Sequence, residues 1–227
     1  MSNVSHLWAI FLGTFIGLLP IINPLSAGPT FLAITAGDSE ARRRGQARKG
    51  CLYMVAILVS FLIGGTFIMN FFGISIPGLR IAGGILLTGI GMDMLLARKA
   101  AAKSEDEAER AAALKKADIS FSPLAMPMLS GPGSIAVTLG FTSLATDWLD
   151  YAAIIAGIVC VALLTYVVLR LSSRMVEFIG PVGVNAMTKI MGFLIMCMGV
   201  QFVVNGILGI ATDPELLRGI KSVLAAN

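Results

Sequence analysis

The sequence predicts an all-α polytopic membrane protein: six transmembrane helices in two inverted three-helix repeats, the first and fourth helices broken at Pro/Gly motifs. Three observations carry this. Hydrophobic residues make up 56% of the 227-residue chain and charged residues 13%, with a mean hydropathy of +0.87. A soluble domain, at about 25% charged residues, could not hide that much apolar surface. Six apolar segments are separated by polar or basic stretches, several of them near the ~20 residues that cross a bilayer as helix. Finally, one proline pattern occurs twice. Pro20, Pro24, Gly28 and Pro29 are matched by Pro123, Pro127, Gly131-Pro132 with the same Pro-x-x-x-Pro…Pro spacing, displaced by 103 positions.

The six segments cover roughly 7–36, 51–72, 76–97, 119–145, 148–169 and 186–211. The first and fourth are long, and both carry the proline pattern, which suits two half-helices joined by an unwound stretch. A charged, Ala-rich loop at 98–118 divides the chain. It leaves one three-helix repeat at 1–97 and a second at 119–227, and its Asp106 and Arg110, spaced i,i+4, favour a surface helix. In the third span of each half, Arg80-Ile81-Ala-Gly83-Gly84 resembles Lys189-Ile190-Met-Gly192. A unit of three spans enters on one side and leaves on the other, so its second copy is inverted.

Orientation follows from the basic residues, which favour the cytoplasmic side. With both termini outside (periplasmic), fourteen Lys and Arg face inward and only Arg80, Arg218 and Lys221 outward. Trp8 and Trp148 then fall at outer span ends. The net charge of +4 is accounted for by these loops, without the aromatic interleaving of a nucleic-acid surface. Cys51, Cys160 and Cys197 lack CxxC spacing and read as packing residues, so no metal site and no cofactor is expected.

The two breaks form the candidate site. Proline inside a helix removes a donor and clashes with the preceding turn, and in lipid such backbone persists only around a cavity or protein partner. Gly28 and Gly131 add backbone freedom. Pro29 and Pro132 suit the first position of a new helix, with Ser26 and Ser130 placed as caps and Asn23 a weaker candidate. Inversion would then set two helix N-termini face to face at mid-depth, with Pro29 close to Pro132, each end carrying about half a positive charge. The expected substrate-binding set is Asn23, Pro24, Ser26, Gly28, Pro29, Thr30, Pro127, Ser130, Gly131, Pro132 and Gly133. A small zwitterionic solute fits N–H groups and freed carbonyls together.

Among other polar residues in the spans, Asp93 is a candidate for ion or proton coupling, although its place near a span end also lets it reach the interface. Gln201 and Asn205 read as an interhelical hydrogen-bonding pair, and His6 as solvated. Gly13-x-x-x-Gly17 and the Gly84–Thr88 pair read as close-packing positions.

Pro20-Ile-Ile-Asn23-Pro24, Phe72 through Gly84, Pro123-Leu-Ala-Met-Pro127, Ser130-Gly131-Pro132-Gly133 and Met191 through Gly206 together resemble the MarC family of bacterial integral membrane proteins. The resemblance implies six spans in a bacterial inner membrane, a fold related to the LysE-type exporters, and transport of neutral amino acids such as glycine or alanine. The expected partners are the lipid bilayer, the zwitterionic solute and a coupling ion, H+ or Na+, and no nucleic acid. An intramembrane enzyme is disfavoured: neither break holds a cysteine, the spans hold one acid well inside and no histidine. The alternative to transport is a membrane regulator or scaffold, which would use the breaks only for packing.

Overall fold

A computed structural model describes residues 2–35, 37–96, 118–142 and 144–212. The dividing loop, with Asp106 and Arg110, and the basic residues Arg218 and Lys221 lie outside the described residues. Every regular element among those described is helical: α1 (Ser2–Ile22), α2 (Pro24–Ile34), α3 (Glu40–Phe72), α4 (Ile76–Leu96), α5 (Ser120–Leu129, wide helical turns interrupted by extended backbone at Ser122 and Met126), α6 (Pro132–Thr142) and α7 (Trp148–Ala211).

Five stretches are long and apolar enough to cross a membrane: Val4–Ile22, Glu40–Phe72, Ile76–Leu96, Trp148–Arg174 and Val182–Ala211; α5 and α6, bent by 64° at their junction, give a sixth when taken together. The last two long stretches are the arms of α7, which turns at Gly180 with φ 69° and ψ 168°. Nothing lies within 4 Å of a Cβ placed there, so it is this left-handed backbone that requires glycine. α3 ends at Gly73, also left-handed at φ 65°. Its N–H bonds Asn70 O, and Ile74 N bonds Met69 O at 2.8 Å, a glycine C-cap that consumes carbonyls the helix end would leave free.

Small residues set the helix contacts. On α4 and the second arm of α7, glycines recur every seventh residue and meet in antiparallel order. A methyl group on Gly91 would fall 2.6 Å from Gly192 O, one on Gly199 2.5 Å from Thr88 Oγ1 and 2.7 Å from Gly84 O, and one on Gly206 2.8 Å from Pro77 O. With no hydrophobic drive between helices in lipid, this close backbone approach is the main source of association. The first arm of α7 packs on α1 through Gly157 against Thr14. α3 backs α5 and α6: Gly50 accommodates Leu124, and Gly65 lies against Leu139 and Thr142. The core runs through Leu18, Phe31, Met54, Leu58, Leu87, Leu124, Ile154 and Ile158. Large side chains such as Phe67, Phe71, Leu163 and Trp148 stay exposed, the surface expected of a chain solvated by lipid.

Several expectations change. Gly84 and Thr88 pack as predicted and Gly17 packs on Phe141, but Gly13 has nothing within 4 Å. Gln201 Nε2 donates to Asn205 Oδ1 at 2.9 Å within its own helix, and both side chains are exposed, so the pair satisfies itself rather than joining helices. His6 is exposed yet lies 3.4 Å from the carboxylate of buried Asp150. That carboxylate also accepts from Thr146 N and Oγ1 and from Asp147 N, closing the first turn of α7. Cys51 is buried, but Cys197 is exposed and fills no core position.

Candidate functional site

The first break is one residue long and lies within the predicted Pro20–Pro29 stretch, ahead of the expected helix start at Pro29. α1 spans 21 residues, enough at 1.5 Å per residue to cross a hydrocarbon core of about 30 Å. It is therefore a full helix rather than a half. Asn23 then adopts φ 43° and ψ 66°, and α2 begins at Pro24. Asparagine is among the few residues that visit this left-handed region readily, and a proline at the first helical position lacks only an N–H that would be orphaned anyway. Asn23 is thus the cap: its Oδ1 accepts from Ser26 N at 3.4 Å, and its carbonyl accepts from Ser26 N and Ala27 N, both at 3.1 Å. Ser26 is not a cap but sits in the first turn. Pro29 does not start a helix but lies within α2, and Gly28 is buried there. With its first turn bonded in this way, α2 offers fewer free amides to an anion than a bare helix N-terminus would.

The second break is built differently. Ser122 and Met126 have extended backbone (φ −130°, ψ 123° and φ −132°, ψ 124°). Each is joined to the following proline, Pro123 or Pro127, by a cis peptide bond. The chain still closes wide turns, Leu124 N to Ile119 O at 3.2 Å and Ser130 N to Ala125 O at 2.8 Å. α6 then starts at Pro132, as expected. Gly131 has no positive φ; it is needed because a methyl group there would fall 2.8 Å from Pro127 O. Gly133 is a packing position, its added methyl meeting Leu87, Ile21 and Ile90 at 3.2–3.3 Å. Ser130 caps nothing, and its buried Oγ has no hydrogen-bond partner among the described residues.

The two breaks share a cavity of about 360 Å³, within the range of small-molecule sites. Asn23, Ser26 and Thr30 line one wall, and Pro123, Pro127 and Met128 of α5 another; Met94 of α4 and Thr188 of α7 complete it. Of the predicted set, Asn23, Ser26, Thr30 and Pro127 line this cavity, whereas Pro24, Gly28, Pro29, Ser130, Gly131, Pro132 and Gly133 do not. Asp93 is exposed on α4, next in sequence to Met94, and does not line it.

The polar groups are chained. Asn23 Nδ2 donates to Ser26 Oγ at 2.8 Å. Ser26 Oγ and Thr188 Oγ1 are 2.7 Å apart, and Thr188 Oγ1 donates to Val184 O at 2.9 Å. Since Thr188 gives its single proton to Val184, Ser26 is the donor to Thr188. None of the described lining residues is charged. Thr188 and Met94 were missed by sequence reasoning; the one signal for Thr188 was a hydroxyl at the start of the last apolar segment.

A second unpredicted feature leads away from the breaks. Ser130, Ser134, Thr138 and Thr142 recur every fourth residue, and all are buried. Ser134 Oγ and Thr138 Oγ1 bond backbone carbonyls, Leu129 O and Ser134 O. The oxygens at the two ends of the row, Ser130 Oγ and Thr142 Oγ1, have no partner among the described residues. Thr142 lines another concavity, of about 350 Å³, with Thr66, Asn70 and Tyr151.

A family model described as MarC family integral membrane protein matches residues 8–211. The chain belongs to the MarC family. The UPF0056 inner membrane protein MarC of Salmonella typhimurium (strain LT2) is 38% identical to it over 211 residues, covering 89% of this chain and 95% of the relative. The protein of the same name from Escherichia coli (strain UTI89) is 39% identical over the same shares. No solved structure matches the chain. Family and apolar helices together make this MarC family chain a multi-pass inner-membrane protein.

Proposed function

We propose that this MarC family protein is a secondary transporter of small neutral solutes, with neutral amino acids such as glycine and alanine as the substrate class. The observation that carries the reading is the shared cavity: residues of both breaks meet there, with amide and hydroxyl groups as the only polar side chains among its described lining residues. A solute with a net charge would lose its hydration without a counter-charge, at a cost of several kcal/mol. A zwitterion brings its own balance and needs only donors and acceptors, which Asn23, Ser26, Thr30 and Thr188 supply.

In this reading both termini are periplasmic, and the cavity opens toward the inner side, near the end of α4 and the start of the second α7 arm. The row from Ser130 to Thr142 supports a polar route to the concavity at the opposite end, and alternating access would open that end while closing the first. The coupling ion is H+ or Na+, with Asp93, beside the cavity residue Met94, as the relay.

The test is uptake into liposomes of labelled glycine or alanine, across imposed H+ and Na+ gradients. Saturable uptake that Ser26→Ala and Thr188→Val reduce while the purified variants remain folded is the expected result. Wild-type liposomes that match empty ones across a panel of neutral amino acids and both gradients would sink the proposal.

A further inference from the structure

Where the N-terminal turns of α3 meet the end of the first α7 arm there is another cavity, of about 350 Å³. Four arginines line it: Arg43 and Arg44 from α3, Arg170 and Arg174 from α7. The one carboxylate among the described lining residues, Glu40, is already paired with Arg44 at 2.6 Å, so four positive charges less one give those residues a net +3. Arg43 is held in place: its Nε donates to Thr35 Oγ1 and its Nη2 to Thr35 O, both at 3.1 Å. Three of its five N–H donors are left over. Arg170 and Arg174, one helical turn apart, make no hydrogen bond or ion pair among the described residues. Like charges gathered in one concavity repel each other, and an anion relieves that repulsion.

The apolar surroundings decide which anion. From the arginines an exposed apolar strip runs along α7 through Leu171, Val167, Leu164 and Leu163, spaced to share one helix face. A free phosphate would satisfy the arginines and leave the strip bare. A molecule with a phosphate at one end and hydrocarbon behind it would cover both. We propose that this cavity is a binding site for the phosphate headgroup of an anionic phospholipid, with its acyl chains along that strip. The guanidinium fork matches two phosphate oxygens at once, and basic pockets between spans on the cytoplasmic side suit such headgroups.

The test is native mass spectrometry of the full chain, purified in mild detergent and offered equal amounts of phosphatidylglycerol and phosphatidylcholine. Wild type should retain the anionic lipid in excess by roughly tenfold or more. That excess should collapse in Arg170→Gln/Arg174→Gln and persist in Arg48→Gln, whose exposed side chain lies outside the cavity. Equal retention of the two lipids by wild type overturns the proposal without recourse to any variant. An equal loss in Arg48→Gln overturns it too, because the attraction would then be a general property of the basic end. Displacement of bound phosphatidylglycerol by millimolar inorganic phosphate would make this a soluble-anion site and refute the lipid assignment.

Discussion

Replacing Asn23 separates the two things it does at the first break. Asn23→Ala loses the cap on α2, typically about 0.5–2 kcal/mol, and the long 3.4 Å bond to Ser26 N places the loss toward the low end. It also puts a Cβ without a compensating polar group at φ 43°, which costs roughly 1–2 kcal/mol. Together these predict a destabilisation of about 1.5–3 kcal/mol. Asn23→Gly keeps the left-handed backbone without penalty and weakens the cap by only a few tenths of a kcal/mol. Both variants remove the amide that donates to Ser26, so both should reduce solute uptake. Reversible unfolding in mixed detergent and SDS micelles, followed by circular dichroism, measures the stability difference. If Asn23→Gly is as destabilised as Asn23→Ala, the left-handed backbone is not what selects asparagine here. If both match wild type, the break does not depend on this residue.

A double-mutant cycle of Ser26→Ala and Thr188→Val should show a coupling of about 0.5–1.5 kcal/mol in the same unfolding assay; strict additivity would mean that the 2.7 Å contact between α2 and α7 contributes nothing. Gly199→Ala drives a methyl group into Thr88 and the Gly84 carbonyl and should cost about 1–3 kcal/mol. Gly89→Ala meets nothing within 4 Å and should be neutral or stabilising by up to about 1 kcal/mol. Equal midpoints for these two alanine variants would contradict close glycine packing between α4 and the second arm of α7.

The helical class and the family were legible in the sequence, because apolar runs of span length are hard to read otherwise and the proline and glycine motifs extend over most of the chain. That the two proline motifs meet was a matter of topology, and residues of both do line one cavity. What failed was local. Pro29 looked like a helix start because it follows Gly28, but Asn23 and Pro24 together make the better one, so the helix begins five residues earlier and runs through Pro29. Gly131 read as a flexible position, whereas the requirement is room for the Pro127 carbonyl, which no spacing rule reveals. Thr188 could not be placed from sequence at all, since its contact with Ser26 depends on how the second arm of α7 returns after Gly180. The hydroxyl row from Ser130 to Thr142 was visible at four-residue spacing, but nothing in the chain told buried hydroxyls from lipid-facing ones.

The claim that the two breaks enclose the solute is tested most directly by protection of a single thiol at the cavity wall. In a chain with Cys51, Cys160 and Cys197 replaced by serine, Thr30→Cys provides that thiol, and Thr212→Cys, exposed just past the end of α7, provides a control. The rate of alkylation by a water-soluble maleimide is measured with and without glycine or alanine. A solute held in the cavity at about ten times its Kd should slow labelling at position 30 roughly tenfold and leave position 212 unchanged. Labelling of position 30 at the same rate with and without every neutral amino acid tried would contradict the account.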